Sequence, residues 1–168
     1  MKKYLLLITF LFGFESIYAQ HISFMGIQLG QDVSIVDRSL REKGFWRENN
    51  YGVESMYIYS GEFWKYKKAS IIFCSLNGKV DEISVHPEQV NPSTGLTTLY
   101  FSKEQYNDLI KNLTKKYGKY SIKEGLDYTW KLEGGEISAS YDGEKIMISY
   151  IDRDQIIKRQ KRNKDNDL

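Results

Sequence analysis

Apolar positions recur at helical spacing most clearly between Ser102 and Gly118, where Tyr106, Leu109, Ile110, Leu113 and Tyr117 form one stripe. Ser102 and Gln105 stand at capping-box spacing, which satisfies two orphan N–H groups at a helix start. Lys115 and Lys116 fall where the helix dipole favours cations, and Gly118 supplies a left-handed stop. A second, shorter helix is expected from an Asp32 N-cap to about Lys43. Val33, Val36 and Leu40 form its stripe, Ile35 lies beside it, and Gly44 closes it. Neither helix can bury its stripe alone; each needs a sheet.

Alternation of period two supplies that sheet. A short strand is expected over His21 to Leu29, and another over Glu54 to Ser60, with Gly61-Glu62 as a turn. Phe63 to Leu76 is long, and its second half is apolar on both faces, as in a central strand. Asn77-Gly78 predicts a type I′ hairpin into Lys79 to His86. Pro87 to Leu96 holds both prolines and reads as a linker, followed by a short strand over Thr97 to Phe101. Beyond Gly118, Tyr128 to Glu133, Glu136 to Tyr141 and Lys145 to Ile151 form a meander joined at Gly134-Gly135 and Asp142-Gly143. The remainder, from Asp152, is a short helix or frayed tail.

Each half thus carries a short strand, a helix ended by Gly, and an antiparallel run. The expected class is α+β: tandem helix-plus-antiparallel-sheet repeats over 20–90 and 91–152, both helices on one face of a curved sheet, with a polar tail over 153–168.

The N-terminus changes the picture from fold to address. Lys2 and Lys3 precede an apolar run from Leu5 to Phe14 that is short for a bilayer, and Ala19 offers a small residue at the cleavage position. Residues 1–19 therefore read as a signal peptide, against an uncleaved anchor or a buried strand. The mature chain is expected to be periplasmic or extracellular, without a transmembrane anchor. Loss of Lys2, Lys3 and Glu15 leaves 22 basic and 21 acidic side chains, a charge of +1. So balanced a chain has no global field for nucleic acid or anionic membrane. The basic tail residues are interleaved with Asp152, Asp154, Asp165 and Asp167, which reads as solvation rather than a nucleic-acid arm. At 41% hydrophobic and 27% charged, the composition is that of an ordinary globular chain, and 13 Tyr with 2 Pro favour sheet over disorder.

The segments Met25-Gly26-Ile27-Gln28-Leu29-Gly30 and Lys43-Gly44-Phe45, with the ending Trp130, Gly134-Gly135, Ile137, Tyr141, Ile148, Tyr150, resemble small exported proteins of unknown function from Bacteroides-type bacteria. The fold that this resemblance implies is that of β-lactamase-inhibitor-protein-like and outer-membrane assembly lipoprotein (SmpA-like) domains. No Cys stands near Ala19 for the acylation those lipoproteins carry. The families bind or scaffold, which implies by analogy a binding role here.

Chemistry is sparse. His21 and His86 are the only histidines, no Cys-x-x-Cys or His-x-x-x-His occurs, and His86 reads as a strand-end surface residue, so no metal or cofactor is expected. Cys74 sits in the apolar run from Ile71 and reads as a buried structural thiol. There is no Gly-x-Ser-x-Gly elbow and no phosphate loop. Glu54, Glu62, Asp81 and Glu82 could pair as catalytic carboxylates but fit solvated positions.

The aromatic cluster from Phe45 to Tyr66 is the binding clue. On one reading Tyr57, Tyr59, Trp64 and Tyr66 line a strand face for a protein or glycan; on the other, half fill the core and the rest shield a sheet edge. The functional expectation is a non-enzymatic binding or interaction module of the cell envelope, acting through its sheet on a protein or envelope component. A glycan-binding module is the alternative, and a small hydrolase the third.

Overall fold

The computed structural model describes residues 22–48, 56–91, 93–154, 157–158 and 161. The expected leader, His21, Tyr51 and Glu54 lie outside the described residues. Strands β1 (Ser23–Phe24) and β2 (Ile27–Gln28) precede helix α1 (Val33–Glu42). Strands β3 (Trp46–Arg47), β4 (Met56–Phe63), β5 (Tyr66–Leu76), β6 (Lys79–Val90) and β7 (Thr97–Thr98) follow. Helix α2 (Lys103–Tyr117) leads into β8 (Ile122–Glu124), β9 (Asp127–Leu132), β10 (Gly135–Tyr141) and β11 (Ile146–Asp152). The class is α+β, as expected: among the described residues, helices α1 and α2 and a large antiparallel sheet, with helical residues again at 153–154, 157–158 and 161. Its strand order is β3-β4-β5-β6-β11-β10-β9-β8, with β7 extending β6.

Register explains which side chains form the core. Tyr59, Ile71, Val85, Ile148, Ala139 and Tyr128 are Cα partners in turn across six strands, so they share a face. All six are buried. The neighbouring row on that face runs Tyr57, Phe73, Ile83, Tyr150, Ile137 and Trp130, and only Tyr57 is not fully buried. The opposite face is polar at its centre, where Ser84, Ser149, Ser138 and Thr129 align.

The helices meet the core through polar handles as well as apolar stripes. In α2 the capping box forms as expected, and Tyr106, Leu109, Ile110 and Leu113 are buried. The Tyr106 hydroxyl lies 2.6 Å from the Leu126 carbonyl and 2.8 Å from that of Ala139. Its ring stacks on Tyr141, with centroids 5.1 Å apart. Trp130 Nε1 donates to the Gly118 carbonyl at 2.9 Å, closing the helix end. In α1, Val36 and Leu40 are buried while Ile35 is exposed, and Asp37 accepts a hydrogen bond from the Tyr59 hydroxyl. Burial alone would raise the Asp37 pKa. The Tyr59 hydroxyl and the guanidinium groups of Arg41 and Arg47 outweigh it and hold the carboxyl below its ordinary value.

Three expected boundaries move. The strand over 21–29 is a hairpin, because Met25 (φ 50°) and Gly26 (φ 80°) form its two-residue turn. Gly61-Glu62 is not a turn: β4 runs through it, and a Cβ at Gly61 would stand 2.3 Å from the Phe45 ring, so glycine is there for close packing. The turn comes later, at Trp64 and Lys65. The segment from Pro87 is not a linker at its start. β6 continues to Val90, with Pro87 opposite Ala69, between the stretches of β6 that pair with β11 and with β7.

Two outcomes are expected. Tyr106→Phe removes the hydroxyl that the buried Ala139 and part-buried Leu126 carbonyls share and lowers unfolding stability by about 1–3 kcal/mol in urea titrations, whereas the exposed Tyr100→Phe changes it by less than about 0.5 kcal/mol. Because the folded Asp37 pKa is depressed, its contribution is full above the ordinary carboxylate range near pH 4 and is lost as pH falls through the folded value. Tyr59→Phe raises that pKa. Its stability deficit against the native chain is therefore constant at neutral pH and shrinks on acidification; a deficit independent of pH would refute the Asp37 linkage.

Candidate functional site

An apolar groove of about 330 Å³ opens between α2, the β1–β2 turn and the β4–β5 turn. Its size is at the small end for ligand pockets. Leu109 and Leu113 of α2 and Tyr150 of β11 contribute buried side chains, and Phe63 closes the β4 end. Phe24 of β1 stacks on Phe63 with centroids 5.7 Å apart and meets the edge of Tyr150 at 5.2 Å, which seats the hairpin against this end of the sheet. Asn112 and Lys116, one helical turn apart, supply the polar lining. Burial, with the Tyr117 hydroxyl beside it, pushes the Tyr150 hydroxyl well above the ordinary phenol value, so it stays neutral.

The lips of the groove are Met25 and Trp64. They are 38% and 47% exposed, and both sit at positive φ, 50° and 55°. Left-handed backbone costs an L-residue roughly 1–2 kcal/mol, and bulky residues seldom occupy it. Asn77, the other non-glycine residue at positive φ among the described residues, is of a type that tolerates the conformation. Two strained turn positions therefore project large apolar side chains at one opening. Backbone strain of this kind concentrates at functional sites.

Electrostatics orders the Trp64 side. Lys65 Nζ lies 5.0 Å from the Trp64 ring centroid and 5.9 Å from that of Tyr66, and pairs with Asp108 on α2. The hydrogen bond and charge of Lys65 hold the Asp108 carboxyl below its ordinary value. Tyr66, behind Trp64, is pushed up to about 12, chiefly by burial and then by the Asp108 charge.

The four aromatics singled out from sequence do not share an open face. Tyr59 is 0% exposed and Tyr66 7%; both are core residues, because the register places them on the buried side with Phe73 and Phe101. Tyr57 is half-buried, stacks on Phe73 at 4.7 Å and carries the Arg47 guanidinium at 4.8 Å. Trp64 alone of the four lines the groove. Sequence reasoning missed Met25, read as a strand position, and treated Leu109 and Leu113 purely as helix core. The Met25-Gly26 pair was the available signal, since X-Gly between apolar residues suits a primed turn.

His86 is half-buried in a shallower pocket of about 300 Å³ with Ser70, Glu88 and Thr98, and burial lowers its pKa. The Ser70 hydroxyl donates to Glu88 Oε1 at 2.7 Å, and Lys68 pairs with Oε2 at 3.1 Å. Serine is thus directed at the carboxylate rather than at His86, which is not a nucleophile–base contact. Cys74 is intermediate in burial and forms no disulfide. Among the described residues no group of three or more His, Cys, Asp or Glu is placed to hold a metal, and no helix is long and apolar enough to cross a membrane.

No protein-family model matches the chain, and comparison with curated proteins and with solved structures finds no match.

If Met25 is held at positive φ for the groove rather than for folding, Met25→Gly relieves the strain. The gain of about 1–2 kcal/mol exceeds the entropic cost of glycine, roughly 0.5–1 kcal/mol. Urea unfolding should then show a chain more stable by up to about 1 kcal/mol; a loss of stability would mean that the side chain serves the core instead.

Proposed function

We propose that this protein is an exported, non-enzymatic binding module of the bacterial cell envelope that captures an apolar ligand in the groove beside α2. The observation that carries the reading is the convergence of Met25 and Trp64, both exposed and both at unfavourable φ, on one apolar opening. Aromatic side chains beside a pre-formed apolar recess are the usual anchors of binding sites. The export part rests on the leader pattern of residues 1–19.

The same proposal includes the architecture: two tandem helix-plus-meander units with both helices on one face of the sheet. Support comes from the strand order, which mirrors about the junction between β6 and β11, four strands to each side counting those two. It comes also from Tyr59–Asp37 and Tyr106–Ala139, which tie the two helices to residues of a single register row. The resemblance to β-lactamase-inhibitor-protein-like and SmpA-like domains fits that arrangement.

A second reading places a polar, glycan-like ligand on the opposite face. The favouring observation is the hydroxyl row Ser84, Ser149, Ser138 and Thr129, in which the first two hydroxyls lie 3.0 Å apart. It does not use the aromatic platform expected from sequence, since Tyr59 and Tyr66 are buried.

The neutral probe N-phenyl-1-naphthylamine separates the readings. The native chain should bind it with a fluorescence gain, and Trp64→Ala should weaken binding roughly tenfold, the equivalent of about 1.4 kcal/mol of lost apolar contact. Failure of the native chain to bind the probe, or equal binding by the variant, would overturn the groove reading.

A further inference from the structure

The groove is not uniformly apolar, and its polar end has one sign. Met25, Phe63, Trp64, Leu109, Leu113 and Tyr150 make the apolar part; Asn112 and Lys116 make the rest. Asn112 Nδ2 already donates to the Asp108 carbonyl at 2.7 Å, one turn back in α2. Lys65, the other cation at this opening, is committed to Asp108. Lys116 Nζ lies 4.9 Å from the Tyr117 ring, and among the described residues no carboxylate pairs with it. An apolar recess thus ends at an ammonium that no carboxylate of the described residues pairs with.

From this we infer that the groove takes an amphiphile with a single apolar chain and an anionic head, the chain against Leu109, Leu113 and Trp64 and the head at Lys116. The inference rests on the groove being the binding site. Size fits a single chain: at about 330 Å³ the groove is at the small end for ligand pockets. A peptide fits less well. It would bring an N–H and a C=O per residue into a recess where, among the described lining residues, hydrogen-bonding groups are few (Asn112, Lys116, the Tyr150 hydroxyl and the Trp64 N–H), leaving buried backbone groups unpaired. Charge then sets selectivity. A carboxylate or phosphate head gains a charge-assisted hydrogen bond, a hydroxyl head gains little, and a cationic head is repelled.

Displacement of N-phenyl-1-naphthylamine from the full chain by ten-carbon ligands, below their micellar concentrations, tests this. At low salt, decanoate should bind roughly threefold to tenfold tighter than decanol, and decyltrimethylammonium weakest of the three. The ratio should shrink at about 0.5 M salt, as screening requires. Lys116→Gln should bring the decanoate-to-decanol ratio towards one, and Lys116→Arg should restore it, which separates loss of charge from loss of fold. Decyl phosphate beside decanoate reads which head is preferred; the inference holds if either exceeds decanol. Equal binding of decanol and both acids, or a ratio unchanged in Lys116→Gln, would overturn the inference while leaving the groove as a binding site. Binding of no chain at all, with no probe bound either, would overturn both. An apolar peptide that binds more tightly than either acid would replace the occupant.

Discussion

The Tyr106 hydroxyl, held between the carbonyls of Leu126 and Ala139, is the contact on which the rest of the second half depends. A helix stripe alone is free to slide along a sheet; a buried hydroxyl set between two fixed carbonyls is not, because a shift would take it from both and leave the donor unpaired. Once Tyr106 is fixed, Leu109 and Leu113 follow three and seven residues on along the same stripe. Those two side chains floor the groove, and Asn112 and Lys116 come with them. The polarity of the site is therefore a consequence of where one phenol is anchored.

Wall and lip are built on different principles. The wall is a helix fixed by buried polar contacts and a sheet row with little exposure. The lip is two turn residues in costly backbone, one of them linked to the wall by the Lys65–Asp108 pair. That pair is about half exposed on both sides, so it contributes little to stability and is screened by salt. A turn that needed only to reverse the chain would carry Asn or Gly, as Asn77-Gly78 does in the next hairpin. Met25 and Trp64 hold large apolar side chains at backbone positions that disfavour them, and on the proposed reading that cost serves side-chain placement at the groove.

Much of the fold could be read from the chain because local signals agreed with global ones. Ser102 and Gln105 cap α2, Asn77-Gly78 turns its hairpin, and the alternation over 136–151 meets its register residue for residue. Failure came where one residue type serves two purposes. Glycine at 61 reads as a turn but makes room for Phe45, and Pro87 reads as a breaker but sits in a stretch of β6 that lacks β11 or β7 beside it. The aromatic cluster failed for a related reason. Alternation shows that Tyr57 and Tyr59 share a face, but which face is buried depends on pairing with Ile71, Phe73 and beyond, which are distant in sequence. The groove was out of reach altogether, since Met25, Trp64 and Lys116 come from three separate elements.

The two faces of the sheet differ in what they can recognise, and the difference follows from register. On the buried face the aligned rows are large and apolar, and a recess persists at the end where Phe63, Tyr150 and α2 meet. On the other, aligned serines bond one another, as Ser84 and Ser149 do, so part of their capacity is already spent. A ligand there would gain polar contacts only by displacing water and existing bonds, for a small net return. A ligand in the groove would remove apolar surface of Trp64 and Met25 from water without breaking a hydrogen bond, and would meet Lys116, which among the described residues sits beside the Tyr117 ring and pairs with no carboxylate. Lys65 is turned to Asp108, so the anionic partner on α2 is neutralised by the lip rather than by Lys116. That division leaves the groove with a cation at its polar end, and it requires no residue beyond those that already hold α2 and the β4–β5 turn in place.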